Sequence, residues 1–165
     1  MALVIEDGSI VDGANSYVTA EEFVVWANNR FGSDRAGAVN CDADAERLIL
    51  RATDYFEAQS FIGTKKQSTQ LMQWPRNNVY IDGYYESSSS IPVLVKRAIF
   101  ELAYAEEQGS SELSSVDRKV KREKVDVIEV EYADSSASSV INRAVSSAMS
   151  KLLDNYGHFN RVIRI

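Results

Sequence analysis

Apolar residues recur at intervals of three and four in four separate stretches of the chain, and each stretch predicts an amphipathic helix. The first is predicted to begin after Thr19, which forms a capping-box pair with Glu22, and to end at Gly32. Its apolar face is Phe23, Trp26, Ala27 and Phe31.

The second and third predicted helices are longer. The second covers residues 43–61, with Asp42 as its cap and Gly63 at its end. Its apolar positions are Ala45, Leu48, Ile49, Ala52, Tyr55, Phe56 and Ile62. The third begins at Pro92, because proline lacks the N–H that a first turn leaves unpaired, and runs to about Gln108. Its inward positions are Val95, Ala98, Ile99, Leu102 and Ala105.

The remaining patterns predict one more helix, one β element and a long loop. Residues 138–156 form the fourth helix, with Ile141, Ala144, Val145, Ala148 and Leu152 on its buried face. Before it, Val125, Val127, Val130 and Tyr132 favour strand, with a register shift near Ile128 that suggests a bulge. Residues 64–91 are predicted to be a long irregular segment, of a length that is often functional.

These elements predict a mainly α fold: a bundle of about four helices with a small antiparallel β element, extended loops and a tail. A chain of 165 residues is long enough for one domain with its own core. We therefore expect a single domain over residues 1–157 and a C-terminal docking tail over residues 158–165, because Gly157 follows the last helix.

Composition narrows the function classes. The net charge of −6 disfavours sequence-independent phosphate binding by the whole surface. Cys41 is the only cysteine, so no disulfide can form within the chain, which fits a reducing compartment. The N-terminal residues lack a signal-peptide pattern, and no apolar run approaches the roughly 20 residues of a membrane span. We expect a protein that is made in the cytoplasm, is soluble and has no membrane partner.

The sequence shows no catalytic, metal or cofactor pattern. His158 is the only histidine and lies after a predicted helix end, which disfavours a histidine-assisted nucleophile and the common zinc sites. Asp42, Asp44 and Glu46 resemble the start of a calcium loop, but Arg47 occupies the position that needs glycine. We expect neither an enzyme nor a cofactor.

Two internal segments carry candidate function. The first is a basic run within residues 118–124, either a solvated face or a hairpin that meets the phosphates of DNA or an acidic partner. Its cations are Arg118, Lys119, Lys121, Arg122 and Lys124. The second is the motif Gln70–Arg76, in which Pro75 restricts Trp74 to an extended backbone. Trp74, Pro75 and Arg76 are interpreted as a loop anchor, with base stacking by Trp74 as the alternative.

The C-terminal tail has an unusual composition for a disordered end. Its apolar residues alternate with two arginines, so that the residues proposed to dock are Phe159, Arg161, Val162, Ile163, Arg164 and Ile165. An ordinary disordered terminus is polar. This tail either folds back on its own domain or docks on a neighbouring protein.

The order of several motifs resembles a family of tailed-bacteriophage proteins. These motifs are LVIEDGSIVDGANSYVTAEEF, AERLILRATDYFE, QLMQWPR, IPVLVKRAIFELA, KVDVIEVEY and the close KLLDNYG…RVIRI. Such proteins are often labelled DnaT-like single-stranded-DNA-binding proteins and, where a role is assigned, are head–tail adaptors, also called connector or head-completion proteins. The serine run 87–90 and the basic run depart from that pattern.

The resemblance implies a non-enzymatic virion protein in the neck, where head meets tail. It would form a ring of twelve copies beneath the portal protein, extend the channel for double-stranded DNA without sequence-specific binding, and dock tail, tail-terminator or neck proteins.

The alternative is a single-stranded-DNA-binding module. Its stacking residues would be Tyr80, Tyr84, Tyr85 and Trp74, and its phosphate ligands Lys65, Lys66 and Arg76. The net charge of −6 favours the adaptor over this alternative.

Overall fold

A computed structural model describes residues 2–32, 42–108, 123–125, 128–130 and 145–154 of the chain. Three helices dominate these ranges: α1 (Ala20–Phe31), α2 (Asp42–Glu57) and α3 (Val93–Glu107). A fourth helical segment covers residues 145–149. The strands are β1 (Thr64–Lys65), β2 (Arg76–Asn77), β3 (Tyr80–Ile81), β4 (Tyr84–Tyr85), β5 (Glu123–Val125) and β6 (Ile128–Val130). The described fold is therefore helix-rich with small antiparallel strand pairs, consistent with the predicted mainly α class.

Helix α1 begins and ends where the sequence predicts. The Thr19 hydroxyl accepts from the Glu22 N–H at 3.1 Å, and the Glu22 carboxylate accepts from the Thr19 N–H at 3.0 Å. Gly32, with a positive φ of 83°, donates its N–H to Asn28 and ends the helix. The predicted start and stop signals of α1 are thus confirmed.

Helices α2 and α3 pack against each other to form the centre of the core, and α1 covers them. The predicted inward positions of α3 are all buried, namely Val95, Ala98, Ile99, Leu102 and Ala105. On α2, Ala45, Leu48, Ile49, Ala52 and Phe56 are buried as predicted, and Tyr55 is half-buried. Period-3.6 patterning therefore identified the core faces correctly.

Helix α2 ends at Glu57, four residues before its predicted end at Phe61. Tertiary contacts of the residues after Glu57 explain this earlier end. Phe61 instead forms an antiparallel bridge with Leu153, and the carbonyl groups of residues 61–63 accept hydrogen bonds from the Arg76 side chain. These partners replace the helical hydrogen bonds that a longer α2 would have made.

Two buried carboxylates on α3 tie the three helices together. Glu101 lies 3.1 Å from Arg30 of α1, and Glu106 lies 2.6 Å from Arg51 of α2. Both glutamate side chains are more than nine-tenths buried, whereas both arginines are about 42% exposed. The arginine stems can thus cover the helix interfaces while part of each cationic head stays hydrated.

The strands form three separate two-stranded antiparallel ladders, β1–β2, β3–β4 and β5–β6. Two of them lie within residues 64–91, which the sequence had suggested were irregular throughout. The β5–β6 ladder pairs Val125 with Ile128 and continues in regular antiparallel register to Glu123 and Val130, so the described part of this ladder has no bulge at Ile128. Val127 and Tyr132, also predicted as strand, lie outside the described residues.

The fourth predicted helix is shorter at its C-terminal end than expected. Within the described residues it covers 145–149, and a turn follows it. Leu152 accepts from the Ile62 N–H at 3.0 Å, and Asp154 donates to Ser60 at 2.9 Å. Pairing with the segment after α2 therefore ends this helix. The predicted faces at Val145, Ala148 and Leu152 are buried. Ile141, Ala144 and the tail from residue 158 lie outside the described residues, so the predicted domain and tail boundary stays a prediction.

Candidate functional site

The most exposed aromatic feature of the described chain is the hairpin β3–β4, hereafter the tyrosine hairpin (residues 80–85). Asp82 and Gly83 join its strands with positive φ angles of 52° and 85°, as a tight two-residue turn requires. Tyr80, Tyr84 and Tyr85 are 63%, 77% and 57% exposed. Aromatic residues of this size are usually buried, so three exposed on one hairpin mark a contact surface.

The tyrosine hairpin is held firmly at its base. Tyr80 and Tyr85 are cross-strand partners, and their rings meet edge to face with centroids 5.6 Å apart. On the other face, Ile81 is buried in the core. Lys151 reaches Asp82 at 2.5 Å and links the turn to the C-terminal helical segment. The Tyr80 and Tyr85 rings therefore share one face of the hairpin, whereas Tyr84 is the cross-strand partner of Ile81 at the turn.

The segment Gln70–Arg76 precedes this hairpin in the chain and is buried except at Leu71 and Gln73. The Gln70 side chain closes the segment by donating to the carbonyls of Met72 and Pro75 at 2.8 and 3.0 Å, while accepting from the Gln67 N–H at 2.9 Å. Trp74 is 1% exposed, meets Phe61 edge to face, and is followed by the cis Trp74–Pro75 peptide bond. The segment is a packed core element.

Arg76 is the polar centre of the segment. Its guanidinium donates to the carbonyls of Phe61, Ile62 and Gly63 at 3.0, 2.8 and 2.9 Å. It also donates to the Gln73 side-chain oxygen at 2.9 Å. Only 8% of the residue is exposed, and this burial lowers the pKa of Arg76. The guanidinium nevertheless stays protonated, because the ordinary pKa of arginine is far above neutral pH. One side chain thus caps a whole turn of backbone carbonyls after α2.

Tyr17 and Glu57 connect this segment to the N-terminal region. The Tyr17 hydroxyl donates to Glu57 at 2.5 Å and accepts from the Trp74 N–H at 3.0 Å. The other Glu57 oxygen accepts from the Gln73 N–H at 2.7 Å. Burial, followed by the nearby Glu57 charge, raises the pKa of Tyr17. Burial also raises the pKa of Glu57, although the hydrogen bonds from Tyr17 and Gln73 oppose that shift.

The N-terminal loop is closed by a buried carboxylate. Glu6 accepts from the N–H groups of Gly8, Ile10 and Val11 at 2.8, 3.0 and 2.8 Å. Gly8 has a φ of +107°, and a Cβ there would lie 2.5 Å from the Ser89 carbonyl oxygen. The serine run 87–90, which had no assigned role, therefore packs against this loop and requires glycine at position 8.

The structure separates the residues of the predicted single-stranded-DNA site. Trp74 and Arg76 are buried and hydrogen-bonded internally, so they cannot stack on bases or contact phosphates, and that part of the prediction is wrong. Lys65 and Lys66 are half-buried, and Lys66 donates to the Gly8 carbonyl at 3.3 Å. Only the three tyrosines remain as an accessible group. Sequence reasoning missed Tyr17, Glu57 and Gln70, because no local pattern marks a partner far away in the chain.

The other predicted segments are described only in part. Of the basic run, Lys124 lies in β5 opposite Glu129 in β6, and Arg118, Lys119, Lys121 and Arg122 lie outside the described residues. The docking tail lies outside them as well. Among the described residues no group of histidine, cysteine, aspartate and glutamate is arranged to hold a metal ion. No helix in the described ranges is long and apolar enough to cross a membrane.

Comparison with known proteins identifies a family. A family model described as "Putative DnaT-like ssDNA binding protein" matches residues 1–165. No curated protein and no solved structure is significantly similar to the chain.

Replacing Arg76 by lysine tests the carbonyl cap. An ammonium group cannot reproduce a planar fork that serves three carbonyls at once, so Arg76→Lys should lower the free energy of unfolding by about 2–4 kcal/mol. Urea denaturation measures this loss. Arg47→Lys, at a side chain that is 60% exposed, is the matched control and should change stability by less than about 0.5 kcal/mol. Equal stability of the two variants would contradict the assigned role.

Alkaline pH tests the burial of Tyr17. The pKa of Tyr17 is raised in the folded state. At a pH just above the ordinary tyrosine pKa of 10.0, the hydroxyl therefore loses its proton in the unfolded chain but keeps it in the folded chain. The free energy of unfolding should therefore fall by up to about 1.4 kcal/mol per pH unit above that value, and be unaffected by this group below it. Tyr17→Phe should remove this slope, whereas Tyr80→Phe should retain it. Urea unfolding at several alkaline pH values decides the matter.

Proposed function

The chain belongs to the DnaT-like family, and from that premise we propose that it binds single-stranded DNA through the tyrosine hairpin. The carrying observation is the 57–77% exposure of Tyr80, Tyr84 and Tyr85 on one hairpin. Every base has a π-face, so exposed aromatic rings bind unpaired bases with little sequence preference. The family description supports this ligand class.

The charge of the chain limits how this binding works. Acidic residues outnumber basic ones by 24 to 18, so long-range attraction of phosphate is weak. Asp82 at the hairpin turn adds a negative charge, partly offset by Lys151. Stacking must therefore supply most of the affinity. We expect modest affinity and an unusually small dependence on salt concentration.

Truncating one tyrosine tests this proposal. Each stacked base contributes about 1–3 kcal/mol, so Tyr84→Ala should weaken binding of an oligo(dT) of about 20 nucleotides roughly 5- to 150-fold. Fluorescence anisotropy with a labelled oligonucleotide measures the change. Leu71→Ala, at an apolar side chain that is 63% exposed outside the hairpin, is the control and should bind as the wild type does. Unchanged affinity of Tyr84→Ala would contradict the proposal.

A second function is proposed from the charge balance and the resemblance to phage proteins: a head–tail adaptor that forms a ring beneath the portal. A net charge of −6 suits a channel wall that lets DNA pass without gripping it. In this function the exposed tyrosines contact protein, and the basic run 118–124 guides DNA or meets an acidic neighbour. The apolar tail 159–165 docks on the portal or on the next subunit.

Particle composition tests the adaptor function. In purified particles of a tailed phage that carries this gene, we expect the protein at the neck in several copies. Deleting residues 159–165 should leave a folded chain that no longer joins the head, because the docking segment is gone. Mass spectrometry and electron microscopy of the particles measure both results. Absence of the full-length protein from particles would contradict the adaptor function, and loss of the cooperative thermal transition on truncation would assign the tail to the core.

A further inference from the structure

A second exposed apolar surface lies between α1 and α3, on a part of the molecule that shares no residue with the tyrosine hairpin. It is a groove of about 390 Å³. Its floor is formed by the Trp26 and Phe100 rings, which are stacked with centroids 5.4 Å apart. Val25 and Val93 form its apolar walls and are 53% and 80% exposed. We call this feature the α1–α3 groove.

The groove has a mostly cationic rim. Lys96 and Arg97 line it, together with Glu22, which pairs with Lys96 at 2.9 Å. Arg97 lies 3.9 Å from the Glu101 carboxylate, a long distance for an ion pair, and its side chain is 51% exposed. Its guanidinium therefore keeps donors for an acidic partner. A single exposed valine is ordinary, but two of them over an aromatic floor form a concave apolar site.

The tyrosine hairpin has the opposite shape and the opposite charge. It is a convex turn that projects three aromatic rings. Asp82 in the turn is paired with Lys151 at 2.5 Å, so the half-buried Glu86, which directly follows the hairpin, leaves one net negative charge there. Tyrosine is enriched at protein interfaces because it buries a large apolar area and keeps a hydroxyl for a polar partner. An aromatic, acidic projection thus matches an apolar groove with cations on its rim.

We propose that the tyrosine hairpin of one copy docks in the α1–α3 groove of the next copy. The two surfaces are different, so the contact is heterologous: each copy uses one hairpin and one groove, and the association continues head to tail into a chain or closes into a ring. Tyr84, the most exposed ring, enters between Val25 and Val93, and Arg97 faces the acidic residues of the hairpin.

The size of the contact predicts its strength. With rings of roughly 150–250 Å² that are more than half exposed, three tyrosines bring on the order of 400 Å² to the interface. A stable interface buries about 800 Å² per partner, so this contact supplies about half of that area. We therefore expect weak association in dilute solution, strengthened wherever several copies are held together.

This inference does not rest on DNA binding. If the proposed DNA function holds, the groove and the DNA compete for the same tyrosines, and self-association hides them. If the adaptor function holds, the same contact joins neighbouring subunits. The variant Val93→Asp separates the two questions, because it alters the groove and leaves every hairpin residue in place.

Sedimentation velocity over a range of concentrations provides the test. The groove variant Val93→Asp should be folded, since an acidic residue in the first turn of α3 interacts favourably with the helix dipole. The hairpin variant Tyr84→Ser/Tyr85→Ser changes only exposed side chains. Each variant alone should associate at least about tenfold more weakly than the wild type. Circular dichroism and thermal unfolding verify that both are folded.

Mixing the two variants gives the decisive result. The groove variant keeps an intact hairpin, and the hairpin variant keeps an intact groove, so their mixture should form one-to-one heterodimers that cannot grow further. The proposal is overturned if the wild-type chain stays monomeric at about 1 mM. It is also overturned if Val93→Asp associates as strongly as the wild type, or if the mixture of the two variants forms no heterodimers.

Discussion

The fold around the tyrosine hairpin depends on the Arg76 guanidinium and the three backbone carbonyls it caps. Helix α2 stops at Glu57, and the next residues turn away from the helical path. Without a donor the buried Phe61 carbonyl would be left unpaired at a cost of about 1–3 kcal/mol, and the less buried carbonyls of Ile62 and Gly63 would each lose a hydrogen bond. Arginine supplies several donors in one plane, which is why a buried cation is stable here.

That cap fixes the positions of the elements on either side. The segment held by Arg76 pairs with Leu152 and Leu153, which follow the C-terminal helical segment, and β2 leads directly into the tyrosine hairpin. Glu57 of α2 and Tyr17 of the N-terminal region hold the Gln70–Arg76 segment by accepting from the N–H groups of Gln73 and Trp74. The segments that flank the tyrosine hairpin in the chain are therefore fixed by contacts made outside the hairpin.

The two proposed functions and the proposed self-association use the same surface in different ways. Three exposed tyrosines are chemically suited to unpaired bases and to a protein groove alike, because both offer flat or concave apolar area. The acidic balance of the chain limits phosphate attraction and leaves stacking and apolar burial as the main sources of affinity. Competition between the two partners is a measurable consequence of that overlap.

The sequence by itself determined the helices and their buried faces, since the Thr19 capping box, Pro92 and the spacing of residues such as Val95 and Ile99 act within a few turns of one helix. It also indicated that Gln70–Arg76 was an unusual segment. Only the tertiary structure decided that Trp74 and Arg76 are buried, that α2 ends at Glu57, and that the accessible aromatics are Tyr80, Tyr84 and Tyr85. Those outcomes depend on partners such as Tyr17, which binds Trp74, and Leu153, which pairs with Phe61. Each partner lies tens of residues away in the chain, so the local pattern of apolar residues does not reveal it.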